Sequence, residues 1–352
     1  MMDKVVEIAG RKIANNTEPF IIAELSGNHG QDLDKAKLMI KRAAAAGVHA
    51  VKLQTYTADT ITLNSSNDEF QIRDKSSLWK GENLYSLYKK AHTPWEWHKE
   101  LFELANNLGL VAFSSPFDES SVELLESLDV PCYKVASFEL NHFPMLKRVA
   151  QTGKPVIMST GMAQASEINE SVSYMAENGC TQLVLLKCTS AYPAPVRDAN
   201  LNTIVDMQNQ FAMPIGLSDH SKGIGVSLVA ASMGACVIER HFVLEHGGGE
   251  VDSEFSSTPE EFAQLVSLST DIRFCRGDVY YGPTGSEIDS LKYRRSIYVC
   301  EDVRAGSEFS RDNIRVVRPG YGLHPKYFEC VLGRRAKVDI LKNSPLTEGD
   351  LV

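Results

Sequence analysis

The feature that most constrains the fold is a pattern that occurs eight times between residues 20 and 242. Each copy starts with a short apolar run and continues with a segment of helical periodicity, such as residues 34–47 or 94–109. The runs are FIIAEL (20–25), AVKLQ (50–54), LVAFSS (110–115), CYKVAS (132–137), PVIMST (155–160), LVLLKCT (183–189), PIGLSD (214–219) and CVIERHF (236–242). Nearly continuous apolar runs are typical of parallel strands buried on both faces. Eight strand–helix units predict a closed (β/α)8 TIM barrel rather than an open doubly wound sheet, and the glycine-rich dinucleotide fingerprint is also missing after the first run.

The chain of 352 residues is long enough for a barrel of roughly 250 residues and a small partner. We assign residues 1–281 to the barrel domain, with an N-terminal β-hairpin that turns at Ala9-Gly10 and could plug the bottom of the barrel. Residues 282–291 read as a linker. Residues 292–352 hold short β segments and glycine turns, which predict a compact module. A module of this size is not very stable alone, so we expect it to lean on the barrel or on another subunit.

Charge and hydropathy exclude several classes of protein. The formal net charge is -9, whereas nucleic-acid binding requires a basic stripe that displaces counterions. No apolar run approaches the roughly 20 residues of a membrane span, and the N-terminus has no apolar signal-peptide core. We therefore expect a cytoplasmic protein. The 7 cysteines are odd in number, show no C-x-x-C spacing and lie mostly in apolar stretches, so we interpret them as reduced core cysteines.

Every apolar run ends in polar or charged residues, and this carries the functional argument. In (β/α)8 enzymes, the C-terminal strand ends and the loops that follow them hold the chemistry. The candidates at these ends are Glu24, Lys52, Gln54, Ser115, Lys134, Ser137, Ser159, Lys187, Ser218, His220, Glu239 and His241. The loop over residues 56–92 is unusually long for a connection, which is typical of a lid or binding element. Its aromatic residues predict that it packs over a pocket, and the stretch 78–97 could offer an apolar patch to a ligand methyl group.

His220 and His241 end the seventh and eighth strands and predict a divalent-metal site. Neighbouring strands lie roughly 4.8 Å apart, so two inward-leaning imidazoles there can share one ion. Two histidines leave several coordination positions for water or substrate, as a catalytic metal requires. The alternative is that one or both are core histidines that only form hydrogen bonds.

Lysines on the second, fourth and sixth strands point to an anionic ligand. Lys52, Lys134 and Lys187 would be costly inside buried strands unless each meets a charge, most simply a phosphate or carboxylate. Serines at neighbouring strand ends could donate to the same anion. The alternative is internal ion pairing with Glu24, Glu139 and Glu239. Glu24 itself is placed either as a general acid/base or only as a lysine partner.

The motifs occur in the order AELSGNHGQDLDKAK, VKLQTY, FSSPFD, YKVASFEL, IMSTGM, KCTSAYP, GLSDHS and ERHF. Together they closely resemble the sialic acid synthase family. The stretch NIRVVRPGYGLHPKYFECVLGRRAKVDI resembles that family's antifreeze-like (SAF) domain, so the resemblance covers essentially the whole chain. The loop LWKGENLYSLYKKAHTPWEWH is more similar to the pseudaminic acid synthase branch than to the N-acetylneuraminate or legionaminate branches.

This resemblance implies a transferase that condenses phosphoenolpyruvate with an open-chain acetamido sugar and water, releasing phosphate and a nine-carbon nonulosonic acid. For the pseudaminate branch the sugar would be 2,4-diacetamido-2,4,6-trideoxy-L-altrose, and the product would serve flagellin glycosylation. His220 and His241 would hold Mn²⁺, with Mg²⁺ or Co²⁺ as alternatives. The family also implies a domain-swapped homodimer, in which Arg318 reaches the barrel of a neighbouring subunit. Arg318 acting in its own barrel stays open.

The resemblance also implies roles for individual side chains. Glu24 matches the acid/base glutamate, and Asp252 matches a sugar-binding aspartate. Seven side chains match positions around phosphoenolpyruvate: Lys52, Ser115, Lys134, Ser137, Ser159, Tyr192 and Ser218. We add Gln54 and Glu139 to the substrate-binding candidates. Ser190 departs from the family, which often has an asparagine there, and so would alter contacts to either substrate.

Two functions outside this family stay open at the level of the sequence. A metal-dependent sugar aldolase or isomerase would act without phosphoenolpyruvate and release no phosphate. A sugar-binding or ice-binding protein is suggested only by the small C-terminal module, and it leaves the converging polar strand ends unexplained.

Overall fold

Eight parallel strands close into a barrel in the computed structural model, which describes residues 4–73 and 77–352. A hairpin of β1 (Val6–Ile8) and β2 (Arg11–Ile13) precedes them. The barrel strands are β3 (Phe20–Glu24), β4 (Ala50–Thr55), β5 (Val111–Pro116), β6 (Tyr133–Val135), β7 (Val156–Ser159), β8 (Leu183–Cys188), β9 (Ile215–Asp219) and β10 (Val237–His241). The last strand pairs with the first, so that His241 lies beside Glu24. The predicted TIM barrel is therefore confirmed.

Helices connect the strands, and all but the short α2 and α3 cover the outside of the barrel. They are α1 (Leu33–Ala45), α2 (Ala58–Ile61), α3 (Leu84–Ala91), α4 (His98–Asn107), α5 (Glu119–Ser127), α6 (Phe143–Ala150), α7 (Ala165–Glu177), α8 (Asn202–Phe211), α9 (Gly225–Ser232) and α10 (Pro259–Arg276). The local sequence determines where α1 begins. The Asp32 side chain caps this helix by accepting a hydrogen bond from the backbone amide of Lys35. No helix in the described parts of the chain combines the length and hydrophobicity that a membrane span needs.

Two apolar layers hold the barrel together. The larger layer lies between the strands and the helices, where α1 contributes Ala36, Met39, Ile40 and Ala43 at helical spacing. The smaller layer fills the N-terminal end of the barrel. There Val6, Ile8 and Ile13 of the hairpin pack with first residues of the strands. The predicted plug is confirmed, and the open end of the barrel is the C-terminal one.

The chain divides into two units, Met1–Gly277 and Asp278–Val352. The second unit has a 3-10 helix at Gly285–Tyr293, an antiparallel pair of β11 (Ser296–Val299) and β12 (Ile314–Val317), and the short helix α11 (Phe328–Val331). Its own core includes Ile297, Phe309, Ile314 and Leu346. The boundaries at residues 281 and 292 stay predictions, and much of the predicted linker lies in the 3-10 helix.

The cysteines are free thiols, but not all of them lie in the core. Cys132, Cys180, Cys188 and Cys236 are buried, as expected from their apolar runs. Cys275 and Cys330 are exposed, so the expectation of a core position is wrong for these two. Val331, next to Cys330, is buried, whereas Phe274, next to Cys275, is itself 76% exposed, so an apolar neighbour alone does not place a cysteine in the core.

Gly216 in β9 lies where a side chain would collide with both neighbouring barrel strands. A Cβ atom at this position would lie 2.5 Å from the carbonyl oxygen of Val237 in β10 and 2.7 Å from Cδ2 of Leu186 in β8. The backbone oxygen cannot move without disturbing the strand pairing. A side chain of any size is therefore excluded here.

We predict that Gly216→Ala lowers the free energy of unfolding by about 1–3 kcal/mol, because the added methyl group overpacks the strand interface. Gly225→Ala is the matched control, since no atom lies within 4 Å of a Cβ at Gly225. Alanine is also the better helix former there, at the start of α9. Urea unfolding of both variants measures the difference, and equal midpoints would contradict the packing argument.

Candidate active site

A cavity of about 530 Å³ opens at the C-terminal ends of the barrel strands. It is lined by all the predicted site residues except Ser115, Lys187 and Arg318: Glu24, Lys52, Gln54, Lys134, Ser137, Glu139, Ser159, Tyr192, Ser218, His220, Glu239, His241 and Asp252. These residues come from seven of the eight strands or from the loops that follow them. The closed barrel therefore brings together side chains that are far apart in the sequence.

Two lysines and two glutamates form a buried array on the floor of the cavity. Lys52 forms an ion pair with Glu24, and its Nζ lies 3.5 Å from Oε1 of Glu239. Lys134 Nζ lies 3.7 Å from the same Glu239 oxygen and donates to Ser159 Oγ at 2.7 Å. The predicted ion pairs thus exist at the same place as the predicted anion-binding lysines.

Ionisation within this array follows from burial and mutual attraction. Burial lowers the pKa of Lys52 to about 8, against the opposing effect of Glu239. Burial alone would raise the pKa of Glu239, but the ammonium groups of Lys134 and Lys52 hold it below its usual range. Glu239 is consequently a carboxylate at neutral pH, and Lys52 is still largely an ammonium group.

Three carboxylate oxygens of the floor are buried and accept no hydrogen bond: Glu24 Oε1, Glu139 Oε2 and Glu239 Oε2. Buried acceptors are nearly always paired in folded proteins, so these oxygens are suited to donors on a bound ligand. Burial also raises the pKa of Glu139 to about 7. The Glu139 carboxyl can therefore gain or lose a proton near neutral pH.

His220 and His241 face each other across the seam between β9 and β10, with ring centroids 5.2 Å apart. His220 Nδ1 lies 3.2 Å from the carbonyl oxygen of Thr189. Because this oxygen can only accept, Nδ1 carries the proton and the Nε2 lone pair is free. His241 Nδ1 is buried without a hydrogen bond, and Asp252 Oδ2 lies 3.6 Å from it. Burial holds the pKa of His241 below its usual range, which favours the neutral, ligating imidazole.

The donor set fits a divalent ion that takes its other ligands from water and substrate. Within residues 4–73 and 77–352, no group of three or more His, Cys, Asp or Glu side chains is arranged to hold a metal. Metal binding by the histidine pair alone is thus compatible with the structure and stays a prediction.

A second ion pair lies behind the histidines. Asp219 and Arg240 directly precede His220 and His241, and side chains alternate along a strand, so the pair points away from the cavity. Arg240 is 1% exposed and forms an ion pair with Asp219. It also donates to Ser257 Oγ at 2.9 Å and to the Ser221 carbonyl oxygen at 2.7 Å. These bonds tie together the strand ends from which both histidines project.

The same alternation corrects one expectation. Lys187 does not line the cavity: it packs beside Leu217 and Val226, and its Nζ donates to Thr189 Oγ1 at 2.6 Å. Val184 and Leu186 of β8 point into the barrel, so the next inward residue is Cys188. Cys188 lines the cavity with its Sγ 3.8 Å from His220 Nδ1. Counting every second residue of β8 could have identified Cys188 from the sequence.

The remaining predicted residues have varied surroundings. Ser115 is buried, and its Oγ accepts a hydrogen bond from Lys52 Nζ at 3.1 Å. It therefore holds this lysine in position and does not line the cavity. Arg318 lies in the second unit with an exposed side chain, and its role stays a prediction. Asp252 is held by Ser26, and its backbone amide donates to Asn28 Oδ1 at 3.1 Å.

The long segment after β4 contributes an apolar wall to the cavity, as its aromatic composition predicted. We define the apolar wall as Ile61, Ile72, Trp79, Leu84, Leu87 and Tyr88. The sequence placed the apolar patch in residues 78–97, but Trp97 packs against His29 instead. Four members of the wall, Trp79, Leu84, Leu87 and Tyr88, lie in the predicted stretch, whereas Ile61 and Ile72 lie outside it.

Comparisons with known proteins agree with this architecture. Residues 39–280 match the model of the NeuB family, and residues 294–352 match that of the SAF domain. The chain is 41% identical to the pseudaminic acid synthase of Campylobacter jejuni over 94% of its own length and 96% of that protein. It is 34% identical to the N,N'-diacetyllegionaminic acid synthase of the same species, over 90% and 95% of the two chains.

A solved structure supports the same conclusion. The N-acetylneuraminic acid synthetase from Leptospira borgpetersenii is 33% identical and superposes with a TM-score of 0.72, covering 82% of this chain and 96% of that one. The chain therefore belongs to the NeuB family, as a nonulosonic acid synthase with a C-terminal SAF domain.

Proposed function

We propose that the protein is a pseudaminic acid synthase, which condenses phosphoenolpyruvate and water with 2,4-diacetamido-2,4,6-trideoxy-L-altrose and releases phosphate. One observation carries the proposal: the facing histidines and the buried lysine–glutamate array share the floor of one cavity. The choice of sugar is supported by the 41% identity to a pseudaminic acid synthase, against 34% for the legionaminic counterpart.

The lysines would bind phosphoenolpyruvate. Lys52 and Lys134 are held in place by buried hydrogen bonds and ion pairs, so little side-chain entropy remains to be lost on binding. Hydroxyl groups of Ser137, Ser159 and Ser218 line the same region and can donate to phosphate or carboxylate oxygens. Clamping the enol phosphate beside the sugar turns an encounter of three reactants into a local one.

His220 and His241 would hold a divalent ion, Mn²⁺ in the first place and Mg²⁺ or Co²⁺ as alternatives. When bound, such an ion supplies Lewis-acid polarisation of a carbonyl oxygen. Asp252 lies against His241 and lines the cavity, where it can orient sugar hydroxyl or amide groups.

The proposed condensation forms one carbon–carbon bond and breaks one carbon–oxygen bond. A bond forms between C3 of phosphoenolpyruvate and the aldehyde carbon C1 of the sugar, and water adds at C2 of the enol phosphate. The C2–O bond then breaks, and phosphate leaves with the bridging oxygen. Glu24 lies in the floor with one unpartnered carboxylate oxygen, so it is placed to move a proton from the attacking water or a sugar hydroxyl.

A legionaminate or N-acetylneuraminate synthase is the alternative, since the legionaminic relative is also similar along nearly the whole chain. The same floor would serve that reaction with a different acetamido sugar. Turnover with several sugars decides between these activities, because they share phosphoenolpyruvate and phosphate release.

The SAF domain would complete the cavity through Arg318. An exposed guanidinium is suited to a carboxylate or hydroxyl group of a ligand, and this side chain has no ion pair among the described residues. We place Arg318 in the barrel of a neighbouring subunit, within a domain-swapped homodimer.

We predict that the altrose sugar and phosphoenolpyruvate give stoichiometric phosphate release, at a kcat/KM at least about tenfold above that for N-acetylmannosamine or the legionaminate precursor. Phosphoenolpyruvate labelled with ¹⁸O at the bridging position should yield labelled phosphate, because the C–O bond breaks. Mass spectrometry of the phosphate reads this directly. Unlabelled phosphate, or turnover without phosphoenolpyruvate, would contradict the reaction.

Replacing either His220 or His241 with alanine should lower metal-dependent turnover by roughly a hundredfold or more, because Lewis-acid polarisation contributes several kcal/mol to the barrier. Calorimetric titration of metal-free protein with Mn²⁺ should show the same loss as weaker binding. His246→Ala is the matched control, since His246 is exposed and pairs with Glu261. Unchanged Mn²⁺ affinity in both site variants would rule out the assignment.

A mixing experiment tests the placement of Arg318. Arg318→Ala and His241→Ala subunits should each be inactive alone and regain up to about a quarter of the wild-type activity per subunit when refolded together, if each cavity combines residues of two chains. Size-exclusion chromatography with light scattering confirms that the mixture is dimeric. Absence of any recovery in a confirmed heterodimer would place Arg318 in its own barrel.

A further inference from the structure

We propose that the apolar wall is the subsite for the C6 end of the acceptor sugar, and that it selects a 6-deoxy sugar over one with a hydroxyl or phosphate at C6. This inference rests on the proposed function and extends it to the residues that choose the substrate. It follows from how polar and apolar side chains are divided within the cavity.

The two halves of the cavity have opposite chemistry. The charged side chains of the described lining come from the strand ends and from the loops that carry Glu139 and Asp252. Among the described residues 56–73 and 77–91, eight side chains line the cavity, the apolar wall together with Tyr56 and Ala91, and none of these eight is charged. A ligand with one polar and one apolar end therefore has a single favourable orientation, with its polar end at the floor.

That orientation matches an open-chain sugar that reacts at C1. Its aldehyde must lie at the floor, where the histidines and the lysine–glutamate array are. C6 is at the opposite end of the carbon chain from C1, and so it extends toward the apolar wall. A methyl group at C6 would be removed from water against leucine, isoleucine and aromatic surfaces, which is favourable.

The apolar wall has a defined position over the floor. Trp79 Nε1 donates to the carbonyl oxygen of Val251 at 3.0 Å, and Val251 directly precedes Asp252. The Trp79 ring contacts Tyr192 with centroids 6.0 Å apart, and Tyr192 in turn contacts His220 at 4.6 Å. These contacts connect the apolar wall to the reactive end of the cavity.

The C-terminal end of α3 is equally well fixed. A Cβ at Gly27 would lie 3.0–3.1 Å from backbone and side-chain atoms of Ala91, so the loop after β3 packs directly against this helix. Tyr85 in the same helix donates to Asp59 Oδ1 at 3.0 Å and ties α3 to α2. Leu84, Leu87 and Tyr88 are therefore presented by a helix held at both ends.

The apolar wall offers little to a polar C6 group. Its one nitrogen donor, Trp79 Nε1, is already used by Val251, which leaves the Tyr88 hydroxyl as the remaining polar atom. A hydroxyl at C6 would lose water without a full set of new partners. A phosphate at C6 would be worse, because none of the wall residues carries a positive charge. We expect the order 6-deoxy, then 6-hydroxy, then 6-phosphate.

Three acceptors test this order with the full-length enzyme: 2,4-diacetamido-2,4,6-trideoxy-L-altrose and its 6-hydroxy and 6-phospho analogues. Phosphate release from phosphoenolpyruvate gives kcat/KM for each. We expect the 6-deoxy sugar to exceed the 6-hydroxy sugar by about 10- to 100-fold, the range that apolar pockets reach for one added hydroxyl. The 6-phospho sugar should be poorer still. Equal values for the first two sugars would overturn the proposal.

Leu84→Ser tests the apolar wall itself, and Leu63→Ser is the matched control. Leu63 belongs to the same segment but is 67% exposed and does not line the cavity. We expect Leu84→Ser to reduce the preference for the 6-deoxy sugar about tenfold, mainly through KM, whereas Leu63→Ser and the apolar Leu84→Met keep it. A ratio of two acceptors is insensitive to the fraction of folded enzyme. An unchanged ratio in Leu84→Ser would overturn the proposal while leaving the proposed function intact.

Failure of the proposed function has a different signature. If the altrose sugar releases no phosphate but N-acetylmannosamine does, the pseudaminate assignment is wrong. The same ratio is then measured with N-acetylmannosamine and its 6-deoxy analogue. A preference for the 6-deoxy form that Leu84→Ser removes supports the apolar wall, and a preference for the hydroxylated form overturns it.

Discussion

The buried ion pairs of Lys52 and Lys134 with Glu239 are the interaction on which the rest of the site depends. Withdrawing an ammonium or carboxylate group from water costs several kcal/mol per ion, so neither lysine could occupy a barrel strand alone. Mutual attraction and the serine hydroxyls offset that cost. The result is a floor whose charges are nearly immobile before any substrate binds. Preorganised charges of this kind need no rearrangement when charge develops during a reaction, which makes them effective in catalysis.

The closed barrel makes this array possible through the two-residue alternation of its strands. Lys52 and Lys134 point inward because they lie on the same side of their strands as Ala50 and Cys132, which pack in the N-terminal core. On β10 the same alternation places two neighbouring side chains on opposite sides of the strand. His241 points toward the cavity, while Arg240 points outward into its bonds with Asp219 and the neighbouring serines. A shift of one residue in register would exchange these roles, so the packing of the core determines which groups can meet a substrate.

Much of this was predictable from the sequence, and the failures have physical causes. The strands and their polar ends were recognisable because parallel strands and strand-end chemistry both leave local patterns in the sequence. Lys187 was misplaced because its charge was considered without its position in the alternation, which assigns the inward site to Cys188. The apolar wall was predicted as an apolar patch within residues 78–97, but its individual side chains were not identified. Which side of a short helix such as α3 faces a cavity is decided by tertiary contacts, here with Gly27 and Asp59, and these have no signature within the helix.

The division between floor and wall also explains how related enzymes can share chemistry and differ in substrate. The floor consists of strand ends, whose positions are fixed by hydrogen bonds on both sides and by the core beneath them. Changing it would disturb the barrel. The wall is carried by one segment between β4 and α4, where side chains can vary without altering any barrel strand. Under the proposed function, the reaction at C1 of the sugar would depend on the barrel, whereas discrimination at C6 would depend on this segment. Relatives that act on other acetamido sugars would be expected to differ most in the residues aligned with the apolar wall.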